Sequence, residues 1–247
     1  MKVALITGAG HGGSLGHEAA RQLADENHHV ILTARRLEQV EPLAQELTAQ
    51  GRNASALSLD VTEEGSVAAA ARAVEAEHGR LDVLINNAVL MIPSGRIVEK
   101  DLDELSRELE TNVVGPWRVA KHFFPLLAKS GHGRVVNVSS GAGSFWDPQF
   151  GLVNYPGLAM PGSDSAPITA YGITKTALNA LTIKMSKDFR ASRILVNAVC
   201  PGVTASRTDI GFGRPAPESA KGLVWAATLP DDGPTGLFFR DGKQLPW

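Results

Sequence analysis

The chain has 247 residues, of which 43% are hydrophobic, with 24 basic and 26 acidic side chains and a formal net charge of −2. That length and apolar content are enough to bury a large core in one α/β domain, expected over residues 1–247. The charges form no basic block or stripe, which argues against nucleic acid or an anionic membrane as partner. A single cysteine, Cys200, excludes an internal disulfide and suits a reducing compartment. No leader sequence or membrane-length apolar run stands out, so a soluble, cytoplasmic protein is expected.

The first apolar run, Val3–Thr7, reads as a strand. It leads into Gly8-Ala-Gly10-His11-Gly12-Gly13-Ser14-Leu15-Gly16, five glycines in nine residues, and then a helical pattern over 16–27. Strand, glycine-rich turn and helix start together place backbone N–H groups where a pyrophosphate can lie. The fingerprint Gly8-x-Gly10-x-x-Gly13 is met literally. It also expects a carboxylate about 20 residues on, at the end of the second strand, to hold a ribose hydroxyl. That strand, Val30–Ala34, instead runs into Arg35-Arg36. Two cations at the start of a helix oppose its dipole. A ribose phosphate between them removes the conflict, which points to NADPH rather than NADH.

Helical patterns at 37–50, 63–78, 101–129, 168–190 and 217–228 then alternate with apolar runs at Ala56–Asp60, Val83–Asn86, Val135–Ser139, Ile194–Val199 and Leu237–Phe239. The runs are continuous, as in strands covered on both faces, so a doubly wound (Rossmann) α/β fold with a seven-stranded parallel sheet is predicted. Within the 101–129 pattern, Pro116 has no N–H for the carbonyl of Asn112, so a kink that frees that carbonyl is expected there. The 135–139 strand ends in Ser139-Ser140, where active sites of such sheets lie. Residues 141–169 are rich in Gly, Pro and Ser and too long for an ordinary connection. Their aromatic residues argue against simple disorder, so a lid-like insertion is expected. In the next helix Tyr171 and Lys175 are four apart and share a face. An ammonium beside a phenol favours the phenolate and lowers its pKa.

These marks, with Leu59-Asp60-Val61-Thr62, Asn86-Asn87-Ala88, Cys200-Pro201-Gly202, Thr235-Gly236 and Asp241-Gly242, follow one another along nearly the whole chain. In that order and spacing the sequence resembles the short-chain dehydrogenase/reductase family. Leu32-Thr-Ala-Arg35, Arg207-Thr208-Asp209 and the closing Trp247 are most similar to its NADPH-dependent carbonyl reductase branch. The resemblance implies Tyr171 as proton donor to a carbonyl, with Lys175 lowering its pKa and holding the nicotinamide ribose. It implies Ser140 as the group that polarises the carbonyl and Asn112 as holder of a water in a relay to Lys175. Cofactor contacts are implied for Gly8, Gly10, His11, Gly12, Gly13, Ser14, Leu15, Gly16, Arg35, Arg36, Asp60, Val61, Asn87, Ala88, Tyr171, Lys175, Pro201, Gly202, Val203, Thr204 and Thr208.

Three departures leave alternatives open. The family's usual glycine spacing puts Ser14 where a glycine is expected. Either Ser14 replaces it, or the turn carries two extra residues and Gly16 is the last glycine; the helix start after Leu15 favours the insertion. Val89 stands where a glycine usually follows Asn-Asn-Ala. Thr204 and Thr208 compete for the carboxamide. Thirty residues separate Ser140 from Tyr171. By the same resemblance this insertion covers the substrate side and obstructs the helix surface used for tetramers, which favours a monomer; its Trp146, Phe150, Leu152 and Tyr155 offer either an apolar wall for a hydrophobic ketone or aldehyde or a lid that packs only on its own protein. No metal-ligand set is apparent. Other readings are an alcohol dehydrogenase of a biosynthetic pathway and a non-catalytic dinucleotide sensor; the latter needs only the glycine turn and leaves Asn112, Ser140, Tyr171 and Lys175 without a purpose.

Overall fold

A computed structural model describes residues 1–93, 97–153, 169–205 and 213–247. The strands are β1 (Lys2–Ile6), β2 (His28–Ala34), β3 (Ala54–Ser58), β4 (Val83–Asn86), β5 (Arg134–Val138), β6 (Leu195–Val199), β7 (Thr204–Ala205), β8 (Arg214–Pro215), β9 (Phe238–Arg240) and β10 (Lys243–Leu245). The helices are α1 (Leu15–Asp25), α2 (Glu41–Ala49), α3 (Glu64–His78), α4 (Leu102–Leu109), α5 (Gly115–Ser130), α6 (Thr169–Asp188) and α7 (Ala216–Ala227). The main sheet has the order β10-β9-β6-β5-β4-β1-β2-β3, while β7 and β8 pair separately.

The order reverses beside β1, where chain crossovers turn from one direction to the other, and this is where a crevice opens at the carboxyl ends of the strands. The parallel strands β1 to β6 feed two cores. In β1, Ala4 and Ile6 pack with Ala19, Leu23, Leu47 and Leu223 on the α1–α2–α7 face. Val3 and Leu5 pack with Val67, Phe123 and Leu178 on the α3–α5–α6 face. Burial on both faces is why the strands read as unbroken apolar runs.

Two expectations need correction. The sheet has eight strands, not seven, and the eighth is antiparallel: β10 pairs with β9 through a two-residue turn at Asp241 (φ 53°) and Gly242 (φ 72°). Positive φ at both positions suits a tight hairpin. Lys243-Gln-Leu245 is short and largely polar, so no apolar run announces it. The helix predicted over 101–129 is also broken. Between α4 and α5, residues Glu110–Val114 form one turn of π-helix, closed by the Gly115 N–H donating to the Glu110 carbonyl. Pro116 lies just beyond, where the missing N–H makes the regular ladder impossible.

Candidate active site

The turn after β1 is fastened before it reaches any ligand. Thr7 is buried, and its hydroxyl oxygen accepts the N–H groups of Asn87 (2.9 Å) and Ala88 (3.0 Å). Asn87 in return donates through Nδ2 to the carbonyls of Thr7 (2.8 Å) and Gly8 (3.1 Å). Gly8 has φ +66°, and a Cβ there would sit 2.7 Å from the Ala88 Cα, so only glycine serves. Side chains at Gly10 and Gly16 would meet Ala34 and Asn87, at 2.9 and 2.6 Å. Ser14 is the N-cap of α1, accepting from the His17 N–H at 3.5 Å. The tight packing therefore falls on Gly16 and not on position 14, as the insertion reading requires. His11, Gly12 and Gly13 are exposed at the tip. Gly13 donates its N–H to His17 Nδ1 at 3.1 Å, and Leu15 opens the helix whose positive end faces the cleft.

Arg35 and Arg36 follow β2 and are both exposed, and among the described residues neither guanidinium has a hydrogen bond or ion pair. Asp60 is half-buried after β3; its Oδ1 accepts both the N–H (2.9 Å) and the hydroxyl (2.7 Å) of Thr62. Val61 is buried and close to Gly115. An exposed glycine tip at a helix start, two unpartnered arginines and a fixed carboxylate line one rim, a donor set that fits a phosphorylated dinucleotide.

The chemical centre lies where β5, β6 and α6 meet. Ser139 turns inward, donating to Asn179 at 2.5 Å, whereas Ser140 is half-buried, accepts the Ala142 N–H at 3.2 Å and is close enough to the Tyr171 hydroxyl to pull its pKa down. Lys175 is only 2% exposed; its Nζ donates to the Val138 carbonyl at 2.7 Å and lies 5.4 Å from the centre of the Tyr171 ring. Burial pushes Lys175 down to about 7, against a smaller upward pull from Cys200. Burial and Cys200 push Tyr171 above its ordinary value, against a smaller downward pull from Ser140. The lowering of the tyrosine by the lysine expected from the sequence is therefore not found: burial disfavours the charged form of each group.

Asn112 is fully buried in the π-turn. Its Oδ1 accepts the Leu90 N–H (2.8 Å), and its Nδ2 donates to the Leu90 carbonyl (2.7 Å) and to Thr174 Oγ1 (3.0 Å). The Thr174 hydroxyl in turn donates to the Tyr171 carbonyl at 2.8 Å. Asn112 therefore braces the turn of α6 that carries Tyr171. The model of the short chain dehydrogenase family matches residues 2–156. The chain belongs to that family.

Its relatives include (−)-isopiperitenone reductase of Mentha piperita, 31% identical over 99% of this chain and 98% of that protein. Oxidoreductase UcpA of Escherichia coli is 34% identical over 81% of this chain and 68% of that one. Among solved structures, NADPH-bound carbonyl reductase from chicken fatty liver matches with a TM-score of 0.84 and 25% identity, covering 100% of this chain and 94% of that one. A metagenomic short-chain oxidoreductase in complex with NADP matches with a TM-score of 0.75 and 27% identity, over 97% and 96% of the two chains.

Around this centre the structure shows contacts that the sequence does not announce. Cys200 Sγ accepts the N–H groups of Gly141 (3.2 Å) and Gly202 (3.4 Å) and the Arg240 Nε–H (3.4 Å). Arg214 holds the Pro201-Gly202 turn, donating from Nη2 to the Pro201 carbonyl at 2.6 Å, and pairs with Asp241. Thr204 is half-buried with its hydroxyl on Ser219 Oγ at 2.8 Å, next to the exposed Val203. Thr208 and Tyr155 lie outside the described residues. In the described part of the insertion, 141–153, Trp146 and Leu152 are exposed, while Phe150 lies under the Arg240 guanidinium. Asp147 is wholly buried against Arg240. A cavity of about 520 Å³ lies elsewhere, between Trp117 and Phe124 of α5 and Leu181 and Met185 of α6, and none of residues 141–153 lines it. Among the described residues no helix is long and apolar enough to cross a membrane.

Proposed function

We propose that this chain, acting as one domain, reduces a ketone or aldehyde to an alcohol with NADPH, Tyr171 giving the proton. The observation that carries the reading is the convergence of Ser140 and Tyr171 beside the buried Lys175, whose Nζ lies 5.4 Å from the centre of the Tyr171 ring. NADPH, when bound, supplies the hydride. Residues Gly12 to Leu15 would meet its pyrophosphate, Arg35 and Arg36 its ribose phosphate, Asp60 and Val61 its adenine side, and Asn87, Lys175 and the Pro201–Thr204 turn its nicotinamide side. The NADP-bound and NADPH-bound relatives support that choice.

A carbonyl oxygen placed between Ser140 and Tyr171 takes a hydrogen bond from each hydroxyl. As charge builds on that oxygen, Tyr171 releases its proton to it, and Ser140 stabilises the remaining charge. A tyrosine whose pKa is raised rests protonated, ready to act as an acid. Lys175 in its ammonium form stabilises the phenolate left behind, and the proton that restores the tyrosine for the next turnover comes from solvent. Phe145, Trp146 and Leu152, all exposed in the insertion that follows Ser140, offer apolar contact to a hydrophobic substrate.

Substituting Tyr171→Phe tests the assignment. Turnover of a carbonyl substrate falls by about 10²–10⁴ if a general acid is lost, while binding of NADPH, followed by its fluorescence, is unchanged. Full turnover in that variant would refute Tyr171 as the donor.

A further inference from the structure

At the opposite ends of the strands from Tyr171, three potential metal ligands converge. His29 is the second residue of β2, and Glu77 and His78 are the last two of α3. His29 lies 48 and 49 positions before Glu77 and His78, so no ligand spacing reveals the three together. One ligand atom from each lies within 4.8 Å of the other two. His78 Nε2 is 3.6 Å from Glu77 Oε1, and the two imidazole rings are 4.6 Å apart, tilted by 51°. A tetrahedral ion with bonds of the usual length needs its ligand atoms about 3.3 Å apart. The His78–Glu77 separation nearly meets this, and the exposed Glu77 is free to adjust.

A second feature makes the cluster more than a chance meeting. His78 Nε2 is buried and has no hydrogen-bond partner. Such a nitrogen calls for an explanation, and an ion is one. His17 Nε2 and His28 Nε2 are also buried and unpartnered, but among the described residues neither belongs to a group of ligands. His29 Nε2 is 2.9 Å from Ser55 Oγ, the kind of outer contact that fixes the ring of a ligating histidine. The carboxyl end of α3 adds a partial negative charge that favours a cation. Arg80 turns away, to Asp82 and the Met1 carbonyl.

We propose that His29, Glu77 and His78 form a binding site for a divalent transition ion of the Zn²⁺ type, with water completing the coordination. Two imidazoles and one carboxylate suit Zn²⁺ and not the oxygen-seeking Mg²⁺ or Ca²⁺. The site is separate from the reductase centre and does not depend on that assignment.

The test is calorimetric titration of untagged, chelator-treated protein with ZnCl₂, with MgCl₂ as control, beside thermal unfolding with and without Zn²⁺. One Zn²⁺ per chain binds the native protein and raises its unfolding temperature. Both effects disappear in His78→Gln and His29→Gln and weaken in Glu77→Gln, while MgCl₂ gives neither. Glu77 is exposed, so its variant keeps the test valid if a histidine variant fails to fold. Absence of saturable Zn²⁺ binding overturns the proposal. So does binding unchanged in Glu77→Gln and His78→Gln, which would place the ion at another surface histidine such as His122 beside Glu64 or His132 beside Asp231.

Discussion

Lys175 shows how burial sets the chemistry of one residue. An ordinary lysine holds its proton to about pH 10.4, but burial brings this one down to about 7. If its ammonium form supports the proton transfer, kcat/KM for carbonyl reduction is level below pH 7 and falls above it, since that parameter reports the free enzyme. The same shift has a stability consequence of opposite sense. Between about pH 7 and 10 the unfolded chain holds a proton on this residue that the folded chain has lost. Stability from this group therefore rises with pH across that window, by up to about 1.4 kcal/mol per unit. The variant Lys175→Met removes that slope. Chemical denaturation at pH 7 and 9 measures it, and an identical slope in both proteins would contradict the assigned burial effect. The tyrosine–lysine pair stood out in the sequence only in company with Asn112, Ser140 and the glycine turn, since a four-residue spacing is common by chance. The direction of the tyrosine shift was not legible, because desolvation depends on what covers the pair, and Val138, Cys200 and Ser140 come from distant parts of the chain.

Among the elements, the short 3₁₀ turn Gly141–Gly143 holds the centre together by approaching α6 without side chains between. A Cβ on Gly143 would lie 2.5 Å from the Lys175 carbonyl carbon. Gly143→Ala is therefore expected to push α6 from β5 and to cost about 1–3 kcal/mol, the usual range for overpacking, with turnover reduced alongside. Urea unfolding gives the first number and initial rates the second; an unaltered midpoint would mean that the turn yields freely. Strand and helix order could be read from apolar runs, because burial on both faces of the sheet leaves an unmistakable trace. The π-turn at Glu110–Val114 was half legible: Pro116 announces a disruption but not its form. The β10 strand was invisible, since a three-residue edge strand needs only a turn and backbone pairing. The purpose of Gly8, Gly10 and Gly16 was equally hidden, as it depends on Ala88, Ala34 and Asn87 across the turn.

Across the whole molecule, one polar axis ties the insertion to the far side of the sheet. Asp147 is buried against Arg240 of β9, and Arg240 also reaches Cys200 and Gln149. The Ser144 hydroxyl donates to the Pro246 carbonyl at 2.8 Å, next to the Phe238–Trp247 stack. Removing one partner of a buried ion pair leaves the other uncompensated, which costs about 3–5 kcal/mol. Arg240→Met is expected to lose that much and to raise KM for the carbonyl more than it lowers kcat, because residues 141–153 lose their anchor. A variant with native stability and KM would show that the insertion is held by other contacts. Its Asp147–Arg240 and Ser144–Pro246 contacts join residues more than 90 positions apart, so nothing local in the sequence could suggest it.

The central claim, a reductase that draws on NADPH, is tested most directly by initial rates of cofactor oxidation with NADPH and NADH over a panel of aromatic and aliphatic carbonyls. The Arg35 and Arg36 side chains, exposed and unpartnered among the described residues, predict turnover with NADPH and at least a tenfold lower kcat/KM with NADH, the loss of one charge-assisted contact of about 1.5–3 kcal/mol. Equal or faster turnover with NADH would contradict the account.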